Sequence, residues 1–236
     1  MGFKGMVRAM MPTWKAITKT NKIMPDEEGK YKIHIGPGAK WKKPAMEWVS
    51  LDVDPKRADV VINFSNFGQL PFEDGSIKCI YGSHIFEHID VYVSPRFFKE
   101  CHRVLTNNGV FRLILPDVRK SIEEYLKGNV DFPLFSRRRR RVKELCGIDY
   151  TIFECLREDF LSKTGQPGLL GSKALAHQNA WDWETIVEDL VRAGFKRSNV
   201  HRMDFKKTMY ADFAFEGTYP AEANEQDRSM YVEVVK

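Results

Sequence analysis

The densest chemistry in this sequence lies in five residues, His84-Ile85-Phe86-Glu87-His88. Two imidazoles and a carboxylate at that spacing offer a proton acceptor near neutral pH, or ligands for a divalent ion. Read alone, H-x-x-E-H is the inverted zinc-peptidase motif. That motif belongs inside a long helix and needs a distant third ligand. Here an apolar, strand-like run at 77–82 immediately precedes it, Asp90 follows two residues after His88, and the sequence identifies no third ligand. Two further residues are candidates to face a substrate. Asp117 ends another apolar run, and His177 opens the segment HQNAW. With His84 as general base, they form the candidate catalytic set. The alternatives are local: Asp117 capping a helix after Pro116, and Glu87 and His88 capping and packing a short helix.

A second constellation lies upstream. The apolar run of Ile33 and Ile35 ends in Gly36-Pro37-Gly38, and the run of Trp48, Val49 and Leu51 ends in Asp52. A strand, a glycine turn and a second strand ending in a carboxylate are the parts of a nucleoside site. The glycines let backbone approach a ligand, and the carboxylate can accept from both ribose hydroxyls. A dinucleotide site would want a third glycine opening a full helix, but Trp41 stands at that position. Asp52 capping a turn, with Asp54 in the ribose role, is the competing assignment.

The elements that must hold these residues follow from periodicity. Strands are expected at 31–35, 48–53, 59–64, 77–82, 110–115, 197–204 and 230–235. Helices are expected at 94–105, with Gly109 stopping it in a C-cap role, at 118–126, and at 182–193 between Asp182 and Gly194. Residues 128–178 lack a clear period and read as a long irregular insertion. Alternating strands and crossovers imply an α/β fold with a mostly parallel sheet. The first three strands lie too close together for full helices, so the early helices should be trimmed.

The chain has 236 residues, 43% of them hydrophobic, enough for one domain with a real core. The division expected is a basic lead-in at 1–30, then one domain over 31–236. The lead-in lacks the apolar core of a secretory signal, and Met6 breaks a myristoylation pattern at Gly2, so a short packing helix is expected. There is no apolar run of membrane-spanning length. Cys79, Cys101, Cys146 and Cys155 form no C-x-x-C pattern and read as reduced thiols of a cytoplasmic protein. The net charge of +5 equals the contribution of Arg137, Arg138, Arg139, Arg140 and Arg141. So local a charge argues for one anionic contact, such as a phosphate, and against a nucleic-acid footprint. A solvated helix face near Glu144 and Glu154 is the alternative.

Several motifs together resemble the class I S-adenosylmethionine-dependent methyltransferases. They are HIGPG (34–38), LDVDP (51–55), LPFEDGSI (70–77), YGSHIFEH (81–88) and FKECHRVLTNNGVFRLILPD (98–117), with a weaker echo at 177–195. Within that superfamily the chain is most similar to methyltransferases encoded with surface-glycan synthesis genes, some of them domains of larger viral chains. The resemblance implies a Rossmann-like methyltransferase fold with an acceptor-side insertion at 128–178. It implies S-adenosylmethionine as cofactor, with Gly36 and Gly38 at the methionine end, Asp52 on the ribose, and Asn66 and Phe67 around the adenine. Ile35 and Ser83 join that set. His34 stands where the family often carries an acidic residue. Some methyltransferases acting on ribose or phenol hydroxyls resemble the chain further, with E-x-x-E-H in place of H-x-x-E-H. That implies a divalent metal held by His84, Glu87 and His88 as an alternative to a histidine base.

The segment Gly-Ser-His-Ile follows the fourth strand, where base-amine methyltransferases carry an N-P-P-[YF]-like tetrapeptide. That argues against methylation of base amines and is compatible with oxygen chemistry; the resemblance implies a sugar hydroxyl of a glycan as the acceptor, with a deoxyhexose such as rhamnose as its suggestion. Trp181 and Trp183 are candidates to face a sugar ring. The competing readings are a phenol or quinone O-methyltransferase, a non-catalytic module for anionic surfaces, and a nicotinamide-dependent oxidoreductase.

Overall fold

Apolar residues alternate along the strands, and the alternation separates two unlike sheet faces. The strands are β1 (Tyr31–Ile35), β2 (Trp48–Asp52), β3 (Val60–Val61), β4 (Ile77–Ser83), β5 (Leu105–Pro116), β6 (Val200–Met203) and β7 (Ser229–Val235). They form one sheet in the order β3-β2-β1-β4-β5-β7-β6. Neighbours are parallel except β7, which runs antiparallel to both β5 and β6. The computed structural model describes residues 23–38, 41–64, 68–161, 176–217 and 222–236. The expected N-terminal helix, Asn66, Phe67 and the Gly-Gln-Pro-Gly stretch at 165–168 lie outside the described residues.

One face carries Ile33, Ile35, Ile80, Phe111, Leu113, Val232 and Val234. It is covered by helix α1 (Ser94–Val104) through Phe97, Phe98 and Cys101, and by helix α5 (Trp183–Ala193) through Ile186, Val187 and Leu190. α5 is bounded as its sequence demands. Asp182 accepts from the Thr185 amide, and Gly194 closes the helix at φ 114°.

The opposite face carries Lys32, His34, Arg112 and Glu233 among its apolar residues. No helix could cover such a face without stranding charges. A strap of short 3-10 turns at Ala211–Gly217 covers it instead, bringing one carboxylate to each of its two cations. Lys32 meets Asp212 at 2.6 Å and Glu47 at 3.1 Å. Arg112 meets Glu216 and Glu233, each at 2.6 Å. His34 sits in an aromatic box, 4.2 Å from Trp41 and 4.8 Å from Tyr81 between ring centroids. Burial there lowers its pKa to about 3, so it stays neutral.

Three expectations need correction. The run at 59–64 yields only the two-residue β3, because Phe64 leaves the sheet to pack on Phe97. Gly109 does not cap α1. The helix ends at Val104, Leu105 turns extended to pair with Ile77, and the left-handed position falls on Asn108 at φ 63° within β5. The insertion is not irregular: it holds helices α3 (Pro133–Cys146) and α4 (Ile152–Leu161), after α2 (Val118–Leu126). α3 and α4 share their own small core of Phe132, Leu134, Phe135, Cys155 and Leu156. The trimmed early layer is as expected, with no α-helix among the described residues between β1 and β4. Among the described residues no helix is long and apolar enough to cross a membrane.

Arg112 is the hinge between strap and sheet. Removing it leaves Glu216 and Glu233 without their shared cation, and breaking a buried pair this way costs about 3–5 kcal/mol. Arg112→Ala should therefore lose stability of that order in urea denaturation. A loss below about 1 kcal/mol would show that the strap is held by its aromatic contacts instead.

Candidate functional site

In an open parallel sheet, ligands bind at the carboxyl ends of strands where the strand order reverses. Here that point lies between β1 and β4. β1 ends in the glycine turn and β4 ends in Ser83 and His84, so the two sequence constellations meet at one edge.

They meet because two glycines make room. Gly36 lies at φ 61°, and a Cβ there would fall 2.6 Å from Ile85 Cγ1. A Cβ on Gly82 would fall 2.5 Å from Phe86 Cζ. Ile85 and Phe86 occupy both spaces, folding the chain after β4 back over the glycine turn. His84, at φ 49°, makes the left-handed bend this requires. A short 3-10 turn at Phe86–His88 follows, not the long helix of a zinc peptidase.

Within that turn the polar side chains form a connected group. His84 Nδ1 lies 3.2 Å from Glu87 Oε1 and its Nε2 lies 2.9 Å from Ser229 Oγ. The Nδ1 contact is at ion-pair distance, and Nε2 shares with the Ser229 hydroxyl a hydrogen bond whose direction follows the ring's tautomer. Glu87 is buried. Burial pushes its pKa up, but the His84 contact and the nearby His84, His88 and His177 outweigh it and bring the carboxyl down to about 2. His177 is the third member that the motif lacked. Its ring lies 5.0 Å from that of His88. One ligand atom from each of Glu87, His88 and His177 falls within 4.8 Å of the others, and His84 is not in that set. Burial lowers the pKa of His177, against the opposing pull of Glu87.

The metal-capable group is thus Glu87, His88 and His177, rather than the His84, Glu87 and His88 expected from spacing. His84 is also poorly placed as a direct base. Its side chain is 2% exposed, and its ring meets Glu87 on one side and Ser229 on the other. Ser229 itself lines a groove of about 470 Å³ beside Asp117, Lys120, Arg202 and Gln226.

The other expected residues divide. Asp52 is buried at the end of β2. One of its oxygens accepts from the Asp54 amide, and the other has no partner among the described residues. Asp54 is engaged locally with Lys56 and Arg57. The Ile35 side chain is fully buried in the helix-side core, so only its backbone is open to a ligand. Ser83 is half-buried at the end of β4. Asp117 caps α2 through the Lys120 amide and holds Arg202 at 3.2 Å, so it is a structural cap at the groove's edge. Trp181 is core, donating to Asp189, and Trp183 lies under Arg202.

The arginine block lies mostly at the surface, but three of its members are paired within the chain. Arg137 pairs with Glu225 and Asp227, Arg138 with Asp159, and Arg141 with Glu158. Only Arg139 and Arg140 make no ion pair among the described residues.

A family model described as a methyltransferase domain matches residues 40–113. No curated protein matches the sequence. Among solved structures, the chain is similar to an S-adenosylmethionine-dependent methyltransferase from Mesorhizobium loti, at 14% identity and TM-score 0.45, covering 95% of this chain and 96% of that one. It is similar to one from Archaeoglobus fulgidus at 10% identity and TM-score 0.44, covering 88% and 86%. It is also similar to phosphoethanolamine N-methyltransferase 2 from Haemonchus contortus in complex with S-adenosylmethionine, at 11% identity and TM-score 0.42, covering 95% and 56%. The mostly parallel seven-stranded sheet with its reversed β7 and a glycine turn at the switch point is the Rossmann-like methyltransferase fold, and residues 40–113 within it match the methyltransferase-domain model.

Gly36 is the most exacting position in this site. Gly36→Ala meets both an unfavourable φ and the Ile85 side chain, together costing about 2–4 kcal/mol. In that background Ile85→Ala should recover the steric part and leave the backbone part, as urea denaturation can separate. Wild-type stability in Gly36→Ala would contradict the packing described.

Proposed function

We propose that this chain transfers a methyl group from S-adenosylmethionine to a hydroxyl oxygen on a sugar unit of a glycan. The observation that carries the reading is the buried His–Glu group beside the glycine turn. An amine acceptor brings its own lone pair once neutral. A sugar hydroxyl is a poor nucleophile until its proton leaves, and a preformed proton-accepting group at the cofactor edge serves that need.

The residues present fit the cofactor. The Gly36–Gly38 turn and the Ile35 backbone would take the methionine end, and the open oxygen of Asp52 the ribose hydroxyls. When bound, S-adenosylmethionine supplies an electrophilic methyl on a sulfonium. The chain's own residues do the rest. Glu87, His88 and His177 gather a buried negative charge and two imidazoles at that edge, where the acceptor's hydroxyl must be made more acidic or its proton taken up. His84 fixes the Glu87 carboxylate and links it through Ser229 to the groove. Asp117 fixes Arg202 at the groove, where Arg202, Lys120 and Gln226 offer donors to a polyhydroxylated ring.

The polar lining of that groove favours a sugar over a phenol or quinone. A deoxyhexose such as rhamnose remains the acceptor suggested by resemblance. The internal pairing of Arg137, Arg138 and Arg141 weighs against a module for anionic surfaces and leaves Arg139 and Arg140 for any phosphate on the acceptor.

Transfer of labelled methyl to rhamnosides, phenols and amines tests the acceptor class. Methylation of a sugar oxygen is expected, and transfer to phenols or amines alone would overturn it. His84→Ala should bind S-adenosylhomocysteine within about twofold of wild type and lose about 100-fold or more in kcat. Near-wild-type turnover would remove His84 from the mechanism.

A further inference from the structure

Glu87 has a charge balance that the protein alone does not close. Its carboxylate is 1% exposed, and its sole ion-pair partner among the described residues is the His84 imidazole. Neither oxygen has a well-formed hydrogen bond. The imidazoles of His84, His88 and His177 around it are what keep this buried carboxylate ionised, and none of them is a permanent cation. Groups of this kind are held for a cation.

Backbone carbonyls fix the tautomers of the two neighbouring histidines. His88 Nδ1 lies 3.2 Å from the Ala176 carbonyl oxygen, and His177 Nδ1 lies 2.8 Å from the Asp159 carbonyl oxygen. A carbonyl only accepts, so each Nδ1 carries the proton and each Nε2 carries the lone pair. This is the arrangement by which a backbone carbonyl fixes the tautomer of a metal-bound histidine. The supporting frame is built for the purpose of bringing 177 to 88. The Glu87 carbonyl accepts from the Gln178 and Asn179 amides at 2.7 and 3.1 Å, and Gln178 Nε2 donates to the His88 carbonyl.

We propose that Glu87, His88 and His177 hold one divalent transition-metal ion. Two imidazoles and a carboxylate select an ion of the zinc, cobalt, manganese or iron type over magnesium, which prefers an all-oxygen shell. Three protein ligands leave open positions on the ion. His84 is the positioning residue: it orients Glu87 from behind through Nδ1 and is not itself a ligand. The site stands on its own geometry. Its role rests on the methyl-transfer reading: an acceptor hydroxyl at an open position would give up its proton more readily to a nearby base, leaving an oxygen nucleophile.

Cobalt(II) is the probe, because its visible absorption reports ligand geometry without turnover. After dialysis against chelator, wild-type protein should bind one equivalent of cobalt(II), displaced by zinc(II) and not by magnesium. His88→Ala, at a half-buried position, and the near-isosteric Glu87→Gln should each weaken binding by at least about 10-fold with near-ultraviolet circular dichroism unchanged. His84→Ala should weaken it about 10-fold and alter the spectrum, as loss of an outer-shell partner does. Absence of cobalt binding in wild type, or unchanged binding in both His88→Ala and Glu87→Gln, would overturn the proposal. S-adenosylhomocysteine is titrated into the same samples. Cobalt binding without it supports the metal site and removes the methyl-transfer reading. Its binding without cobalt sinks the metal site alone.

Discussion

The site depends on one steric constraint, the close approach of Ile85 and Phe86 to Gly36 and Gly82. Neither glycine tolerates a side chain there, and the two apolar residues fill the spaces left. The chain after β4 is thereby clamped over the turn after β1. His84 absorbs the resulting bend at positive φ, a conformation that histidine adopts more readily than a β-branched residue. Everything chemical at this edge inherits its position from that clamp. Glu87 falls behind the turn, Ser229 is reached across the sheet, and His177 is drawn in by hydrogen bonds to the Glu87 carbonyl.

The two sheet faces explain why the helical layer is lopsided. The Ile33 and Ile35 face is apolar and takes α1 and α5. The other carries Lys32 and Arg112, which need carboxylates more than they need a helix. Asp212 and Glu216 arrive on a strap whose Phe213 and Phe215 also close the aromatic cluster over Tyr81. The short links between the first strands and the strap on this face are thus two sides of one solution. His34 belongs to the same cluster. It is a neutral ring in an aromatic box on the strap side, so it does not take over the role of an acidic residue toward the cofactor's amino group.

Much of this was legible in the sequence wherever the signal was local. Period-two runs place β1, β4 and β7 to within a residue, and Asp182 and Gly194 bracket α5 through caps that need only their own neighbours. What was hidden depended on distant contacts. α3 was obscured by the arginine block, because one of its core-facing positions is Arg138, made tolerable by Asp159 on α4. The end of α1 was misplaced because the strand pairing of Leu105 with Ile77 overrides the glycine stop signal. His177 was visible as a candidate substrate residue, but its partnership with Glu87 and His88 arises only when α4 and the turn after β4 come together. Spacing alone favoured His84, whose ring instead faces inward between Glu87 and Ser229.

The central claim is that the edge between β1 and β4 is a site for S-adenosylmethionine. Calorimetric titration of the whole chain with S-adenosylhomocysteine, beside NADH, tests it most directly. Saturable binding of S-adenosylhomocysteine at one site per chain, with none of NADH, is the result the account predicts. Binding of NADH alone, or of neither, would contradict it.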